Sequence, residues 1–219
     1  MKLTLIVLFN FRDRQEQLDT FLNFMHTFLQ KQLLDYRIVV VEQVPDTPFN
    51  RAKLFNVGYV ESLKVSPSSK CFVFHDVDLL PQKLSNTYAC TSEPRHMSAS
   101  VNTFRYNLPY LSLFGGAVSI TRAQFETVNG FSNVFYGWGG EDDDFLNRIE
   151  SHQMKICRFE PIVARYYMLS HRKEAPSQSR LEMLHSGSNR FETDGLNSLS
   201  YKLKQMTYKK LYTWYLVDV

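Results

Sequence analysis

The residues of this chain best suited to chemistry are carboxylates in two short clusters. Asp76-Val77-Asp78 places two of them two positions apart. In an extended segment both point the same way, and hard oxygen ligands of this kind suit Mg2+ or Mn2+ on a diphosphate. The same pair would equally serve as a solvated acidic pair or a helix cap. The second cluster, Glu141-Asp142-Asp143-Asp144, follows Gly137-Trp138-Gly139-Gly140. Acidic residues complement the positive end of a helix dipole, which by itself accounts for Asp143 and Asp144. It does not account for Trp138, because a large aromatic among flexible glycines is a poor core residue but a good sugar-stacking lid. A carboxylate beside such a lid could take the proton of a sugar hydroxyl. Met168-x-x-His171 adds a thioether and an imidazole. Alone they are ordinary core and boundary residues; with Asp78 they make an O, S and N set whose soft sulfur favours Mn2+ over Mg2+. Arg12, Arg14 and Arg51 are candidate phosphate ligands, or else surface ion-pair partners.

The elements that must position these groups follow from periodicity. Residues 3–9 form an apolar run interrupted only by Thr4. After one Lys this run has the outline of a signal peptide, but no small-residue cleavage site follows, and it reads as a buried first strand. Leu18, Phe21, Leu22, Met25 and Leu29 then share one helical face. Residues 37–41 form a second strand, Asn50 caps a helix carrying Leu54, Val57 and Val60, and residues 71–75 form a third strand ending at Asp76. Strand, helix, strand, helix, strand describes a mostly parallel sheet covered by helices, with ligands beyond the carboxyl ends of the strands. The second half reads as α+β: strands at 97–101 and 117–121, a helix over 122–128, and a helix from Glu141 with Phe145, Leu146 and Ile149 inward. Residues 172–190, polar and containing Pro176, read as a long loop suited to act as a substrate-dependent lid.

Composition narrows the function classes. At 219 residues with no long linker, one domain is the default. A hydrophobic fraction of 44% and a charged fraction of 21% describe a globular chain, and 17 Phe with 12 Tyr can serve a core or a sugar site. A net charge of +3 without a basic, aromatic-interleaved stretch gives no reason to propose nucleic-acid binding. No stretch reaches the roughly 18 to 20 apolar residues needed to span a bilayer. Cys71, Cys90 and Cys157 lack zinc spacing and leave open one bridge with one thiol over.

Taken in order and spacing, Phe49-Asn50-Arg51-Ala52, Asp76-Val77-Asp78, Phe114-Gly115-Gly116, Trp138-Gly139-Gly140-Glu141-Asp142-Asp143-Asp144, Met168-x-x-His171 and Asp194-Gly195-Leu196-Asn197-Ser198-Leu199 resemble the β1,4-galactosyltransferase family, including its N-acetylgalactosaminyltransferase members. The likeness runs from about Phe11 to the C-terminus. It implies a GT-A-type α/β fold, a Rossmann-like mixed sheet flanked by helices with mobile loops over the site. It also implies one catalytic domain, residues 1–80 forming the donor half and 81–219 the acceptor and metal half. By resemblance, Phe11, Arg12, Arg14, Phe49 and Arg51 contact uridine and phosphate, Asp76, Val77 and Gly116 lie on the donor side, and Asp78, Met168 and His171 bind Mn2+. Trp138 is the mobile-loop tryptophan facing both substrates. Asp142 is the catalytic base, Glu141 a neighbouring acceptor or donor contact, Tyr110, Asp143, Arg180, Leu181 and Leu184 line the acceptor side, and Leu113 lies at the donor sugar. The resemblance further implies a Cys71–Cys90 bridge with Cys157 free, a UDP-galactose or UDP-N-acetylgalactosamine donor, a terminal N-acetylglucosamine acceptor, and the Golgi lumen.

Four positions depart from the family pattern: Asn10 replaces a Pro, Thr103 a donor-side Lys, Glu174 an Asp, and Leu113 the Tyr of galactose-specific members. By the same resemblance, Leu113 leads to the expectation that N-acetylgalactosamine is at least as good a donor sugar as galactose. The implied reaction is an inverting displacement. Asp142, stabilised as an anion at a helix N-terminus, is expected to stay ionised at neutral pH. Two other readings use the same residues: a lectin-like relative that no longer turns over, and a metal-dependent nucleotide-sugar hydrolase.

Overall fold

The computed structural model describes residues 5–12, 14–45, 47–172 and 174–219, with Phe11 described by its backbone alone. In chain order the regular elements are β1 (Leu5–Phe11), α1 (Gln15–Lys31), β2 (Tyr36–Gln43), α2 (Arg51–Val65), β3 (Cys71–His75), β4 (Leu79–Pro81), β5 (Arg95–His96), β6 (Ser100–Val101), β7 (Ala117–Thr121), α3 (Arg122–Thr127), α4 (Glu141–Ser151), β8 (Arg165–Met168), α5 (Arg180–His185), β9 (Lys202–Tyr208) and β10 (Thr213–Asp218).

The apolar runs pair as a buried sheet requires. β1 lies between β2 and β3, parallel to both, and the seven-stranded order is β5-β7-β3-β1-β2-β10-β9. Side chains alternate along β1. Ile6 and Leu8 join the cluster under α2, α3 and α4, whereas Leu5, Val7 and Phe9 join the cluster under α1. The α1 face is the one the periodicity picks out, with Leu18, Phe21, Leu22, Met25 and Leu29 all buried. Asn50 caps α2 as expected, its side chain accepting from Lys53 N at 2.9 Å.

The sheet is mixed, as the family resemblance implies: parallel at its centre, with β7 antiparallel to β3 and β9 antiparallel to β10. Two expectations need correction. Residues 97–101 are not one strand. Only Ser100–Val101 pairs, with β8, in a separate sheet β4-β8-β6, while the preceding Arg95–His96 pairs with β7. Residues 172–190 are not a structureless loop: they hold α5, a turn of 3-10 helix at Gly187–Asn189, and a bridge between Trp138 and Pro176. The start of the expected first strand, at residues 3 and 4, lies outside the described residues.

Candidate active site

Two pieces of backbone bring the carboxylate clusters together. The turn after β3 is anchored by Asp76 N donating to Gly116 O at 2.9 Å, so Asp76-Val77-Asp78 sits beside Phe114-Gly115-Gly116. Gly140 caps α4 with φ +93°, and a Cβ there would approach Phe135 at 2.9 Å, which explains a glycine at the point where the acidic helix begins. Gly115 explains itself similarly: a Cβ there would collide with the Asp142 carboxylate.

Arg51, the first residue of α2, joins the two clusters. It reaches Asp76 through Nη2 at 2.6 Å and Nε at 2.8 Å, and Glu141 through Nη1 at 3.4 Å. Asn10 supports the helix start by donating from Nδ2 to Arg51 O. Arg12 lies over the Phe49 ring at 5.1 Å and donates to Thr47 O at 2.6 Å. Phe49 O in turn accepts from Gly137 N at 2.8 Å, tying the Trp138 segment to the start of α2. The Phe11 side chain lies outside the described residues.

On the metal side, Asp78 is 5% exposed and its Oδ2 meets His171 Nδ1 at 2.8 Å and Arg14 Nη1 at 3.4 Å. Leu169 N donates to Asp78 O at 2.7 Å and Leu79 is paired with Met168, so the strand register sets Met168 beside Asp78. Burial, then the neighbouring Asp76 charge, raise the Asp78 carboxyl to about 6, with His171 and Arg14 opposing. A buried carboxylate against an imidazole, with a thioether on the neighbouring strand, is chemistry compatible with a divalent cation of intermediate softness. Among the described residues no group of three or more His, Cys, Asp or Glu side chains is placed to hold a metal. Thr103 Oγ1 lies 3.7 Å from the Met168 sulfur. Val77 is buried in the α1-side core, which leaves its backbone for any ligand contact.

The helix-start carboxylates behave differently from the sequence-based expectation. Asp142 is pushed up to about 7, by burial first and then by the adjacent Glu141 charge, with Arg51 opposing. The helix dipole favours the anion, but two flanking carboxylates and removal from water outweigh it. Glu141 is raised by the same burial, and its Oε2 is buried without a hydrogen-bond partner among the described residues. Asp143 Oδ1 accepts from Tyr110 OH at 3.2 Å, and Leu113 stands half-buried at the far end of that turn. Trp138 is 56% exposed. Its carbonyl accepts from Ser177 N at 2.9 Å. Arg180 packs along Gly139, its Cδ 3.1 Å from where a Cβ would stand. Leu181 is exposed and Leu184 half-buried on α5, and Glu174 is exposed. Ser98, whose Oγ donates to Gly115 O at 3.1 Å behind Asp142, has no sequence signal; only the paired glycines point to so close an approach.

A mixed sheet whose central parallel strands end at a carboxylate pair, faced by a carboxylate-rich helix start, defines a GT-A-type nucleotide-sugar transferase fold. Residues 1–91 match a family model described as the N-terminal region of glycosyl transferase group 7, and residues 95–172 one described as the N-terminal domain of galactosyltransferase. The chain belongs to the β1,4-galactosyltransferase family. It is 45% identical over 215 residues to beta-1,4-galactosyltransferase 4 of Cricetulus griseus, covering 97% of this chain and 62% of that protein. To beta-1,4-galactosyltransferase 1 of Homo sapiens it is 44% identical, covering 97% of this chain and 54% of that protein. The chain thus spans less than two thirds of the length of these relatives. The catalytic domain of Drosophila β1,4-galactosyltransferase 7, solved with xylobiose, superposes with a TM-score of 0.85 at 28% identity, over 99% of this chain and 94% of that one. A mutant of the same Drosophila protein, solved with manganese, UDP-Gal and xylobiose, matches equally well.

Proposed function

We propose that this chain is a catalytic domain that transfers galactose or N-acetylgalactosamine from its UDP donor to the 4-hydroxyl of a terminal N-acetylglucosamine, inverting the anomeric carbon. Residues 1–80 form its donor half and residues 81–219 its acceptor and metal half. The observation that carries this reading is Arg51, which bridges Asp76 at a strand end and Glu141 beside Asp142 and so joins the two carboxylate clusters that the reading assigns to the donor diphosphate and to proton transfer. The names of the relatives and the manganese, UDP-Gal and sugar in the Drosophila neighbour support the same reading. The proposed compartment is the Golgi lumen, by family membership.

In this reading Asp78, Met168 and His171 hold Mn2+, which when bound supplies positive charge to the departing diphosphate. Arg12, Arg14 and Arg51 orient the phosphates, Phe11 and Phe49 flank the uridine, and Val77 and Gly116 present backbone to the donor. Asp142 takes the proton of the acceptor hydroxyl as it attacks. A carboxylate near 7 is a stronger base than an ordinary one and remains partly ionised at neutral pH. Glu141, Asp143 and Tyr110 hold the acceptor sugar, Leu113 borders the donor's C2 substituent, and Trp138 with Arg180, Leu181 and Leu184 closes over both and excludes water.

The test is UDP release from UDP-galactose, UDP-N-acetylgalactosamine and UDP-glucose, against N-acetylglucosamine and xyloside acceptors, with Mn2+ or Mg2+. Release that requires both Mn2+ and N-acetylglucosamine supports the proposal. Equal release without acceptor makes the protein a hydrolase, and sugar binding without turnover makes it lectin-like. Met168→His should let Mg2+ support activity better than in the parent, since imidazole replaces a soft thioether.

A further inference from the structure

The turn that carries Tyr110 and Leu113 is exposed, with Leu111 85% and Tyr110 43% accessible, so apolar packing cannot define its shape. Its internal support is a bond from Leu113 N to Tyr110 O at 3.2 Å. Arg158, from the segment between α4 and β8, reaches under it. Its Nη2 donates to Leu111 O and to Leu113 O, each at 2.8 Å, and its Nε donates to His96 Nδ1 at 3.1 Å. Among the described residues Arg158 forms no salt bridge, so its donors are directed to this turn and to a buried imidazole. Burial, then the Arg158 charge, hold His96 far below the usual imidazole range, at about 3, so the ring is neutral and Nδ1 accepts. The ring rests against Phe114, at a centroid distance of 6.0 Å, and so joins the clamp to Phe114-Gly115-Gly116, which borders Asp142.

We infer that Arg158 is a positioning residue that sets the 110–113 turn, and through Tyr110 and Leu113 governs acceptor affinity and donor-sugar choice without touching either substrate. The inference rests on the transferase reading above for its consequence, but the clamp itself is a structural claim. A planar guanidinium can serve two carbonyls and a ring nitrogen at once; an ammonium on a flexible stem cannot hold that geometry.

The experiment compares the parent with Arg158→Ala and Arg158→Lys by amide hydrogen exchange over 110–113, by UDP binding with Mn2+, and by transfer kinetics. Exchange at the turn should quicken in both variants, more in Arg158→Ala. The acceptor KM should rise about tenfold or more in Arg158→Ala, with UDP binding unchanged and the ratio of galactose to N-acetylgalactosamine transfer displaced. Arg158→Lys should fall between. Unchanged exchange at 110–113 in both variants overturns the clamp. Loosened exchange with the acceptor KM and donor ratio unchanged overturns its role in substrate choice, as does a loss of UDP binding in step with global unfolding. If the parent transfers no sugar while the turn still loosens in the variants, the transferase reading fails and the clamp stands.

Discussion

At Asp142 two influences oppose each other. The start of α4 favours the anion, but burial beside Glu141 and Asp143 favours the acid and sets the group at about 7. Its folded value therefore lies above its unfolded one, and the stability this contributes at low pH is lost as pH rises through about 7. Asp142→Asn removes that cost, so its gain in Tm over the parent should be larger at pH 8 than at pH 5, as calorimetry at the two pH values would read. The same variant should bind UDP and Mn2+ like the parent yet lose about a hundredfold or more in kcat. In the parent, kcat/KM for the donor should climb with pH and level off above about 7; a flat profile across pH 6 to 8 would remove Asp142 as base. Leu113 tests the donor pocket. The parent should use UDP-N-acetylgalactosamine at least as well as UDP-galactose, and Leu113→Tyr should move the ratio toward galactose by about tenfold or more. An identical ratio in both proteins would show that Leu113 does not set donor choice.

The α2 N-terminus is the element on which the donor side depends. Asn50 is fully buried; its side chain accepts from Lys53 N and donates to Asn133 O at 2.8 Å, and its N–H donates to Gln43 Oε1 at 2.9 Å. Asn50→Ala leaves Lys53 N and Asn133 O without these partners and should cost about 1 to 3 kcal/mol in urea unfolding. Because Arg51 is the next residue, the donor KM should rise more than the acceptor KM. The opposite order would place the effect elsewhere. Within α4 a buried pair, Arg148 Nε to Asp144 Oδ2 at 2.8 Å, orients Arg148, which ties the helix to the 194–199 segment by donating to Asp194 O at 2.6 Å. This gives the Asp194-Gly195-Leu196-Asn197-Ser198-Leu199 stretch a physical role that its composition does not announce.

Across the whole molecule, the chain returns to its own beginning. β10 pairs in parallel with β2, so residues 213–217 complete the sheet begun at residue 5. Cys71 and Cys90 are bonded, tying β3 to the segment after β4, while Cys157 is free, as the family resemblance implies. Peptide mapping without reductant should recover the Cys71–Cys90 pair and alkylate only Cys157. Replacing both bridged residues with Ala should cost about 3 kcal/mol, the scale for closing a loop of this size, read as a lower urea midpoint. An unchanged midpoint would mean the bridge adds nothing to the fold.

What the sequence determined by itself was local. β1, α1, β2, the Asn50 cap, α2, β3, β7, α3 and α4 follow from period and caps, because burial of one face and satisfaction of helix ends act within a few residues. Ordered motifs also determined the family and the candidate residues. Only the tertiary structure decided the antiparallel flanks, the two short strands around residue 98, the return of β10, the ordering of 172–190 against Trp138, and the raised Asp142 carboxyl. Each depends on partners far away in the chain: strand pairing across long separations, Arg158 beneath a turn some 45 residues earlier, and the close approach of Gly115 to the Asp142 carboxylate. Charge and burial at a site are properties of what surrounds it, and that is assembled only when the chain folds.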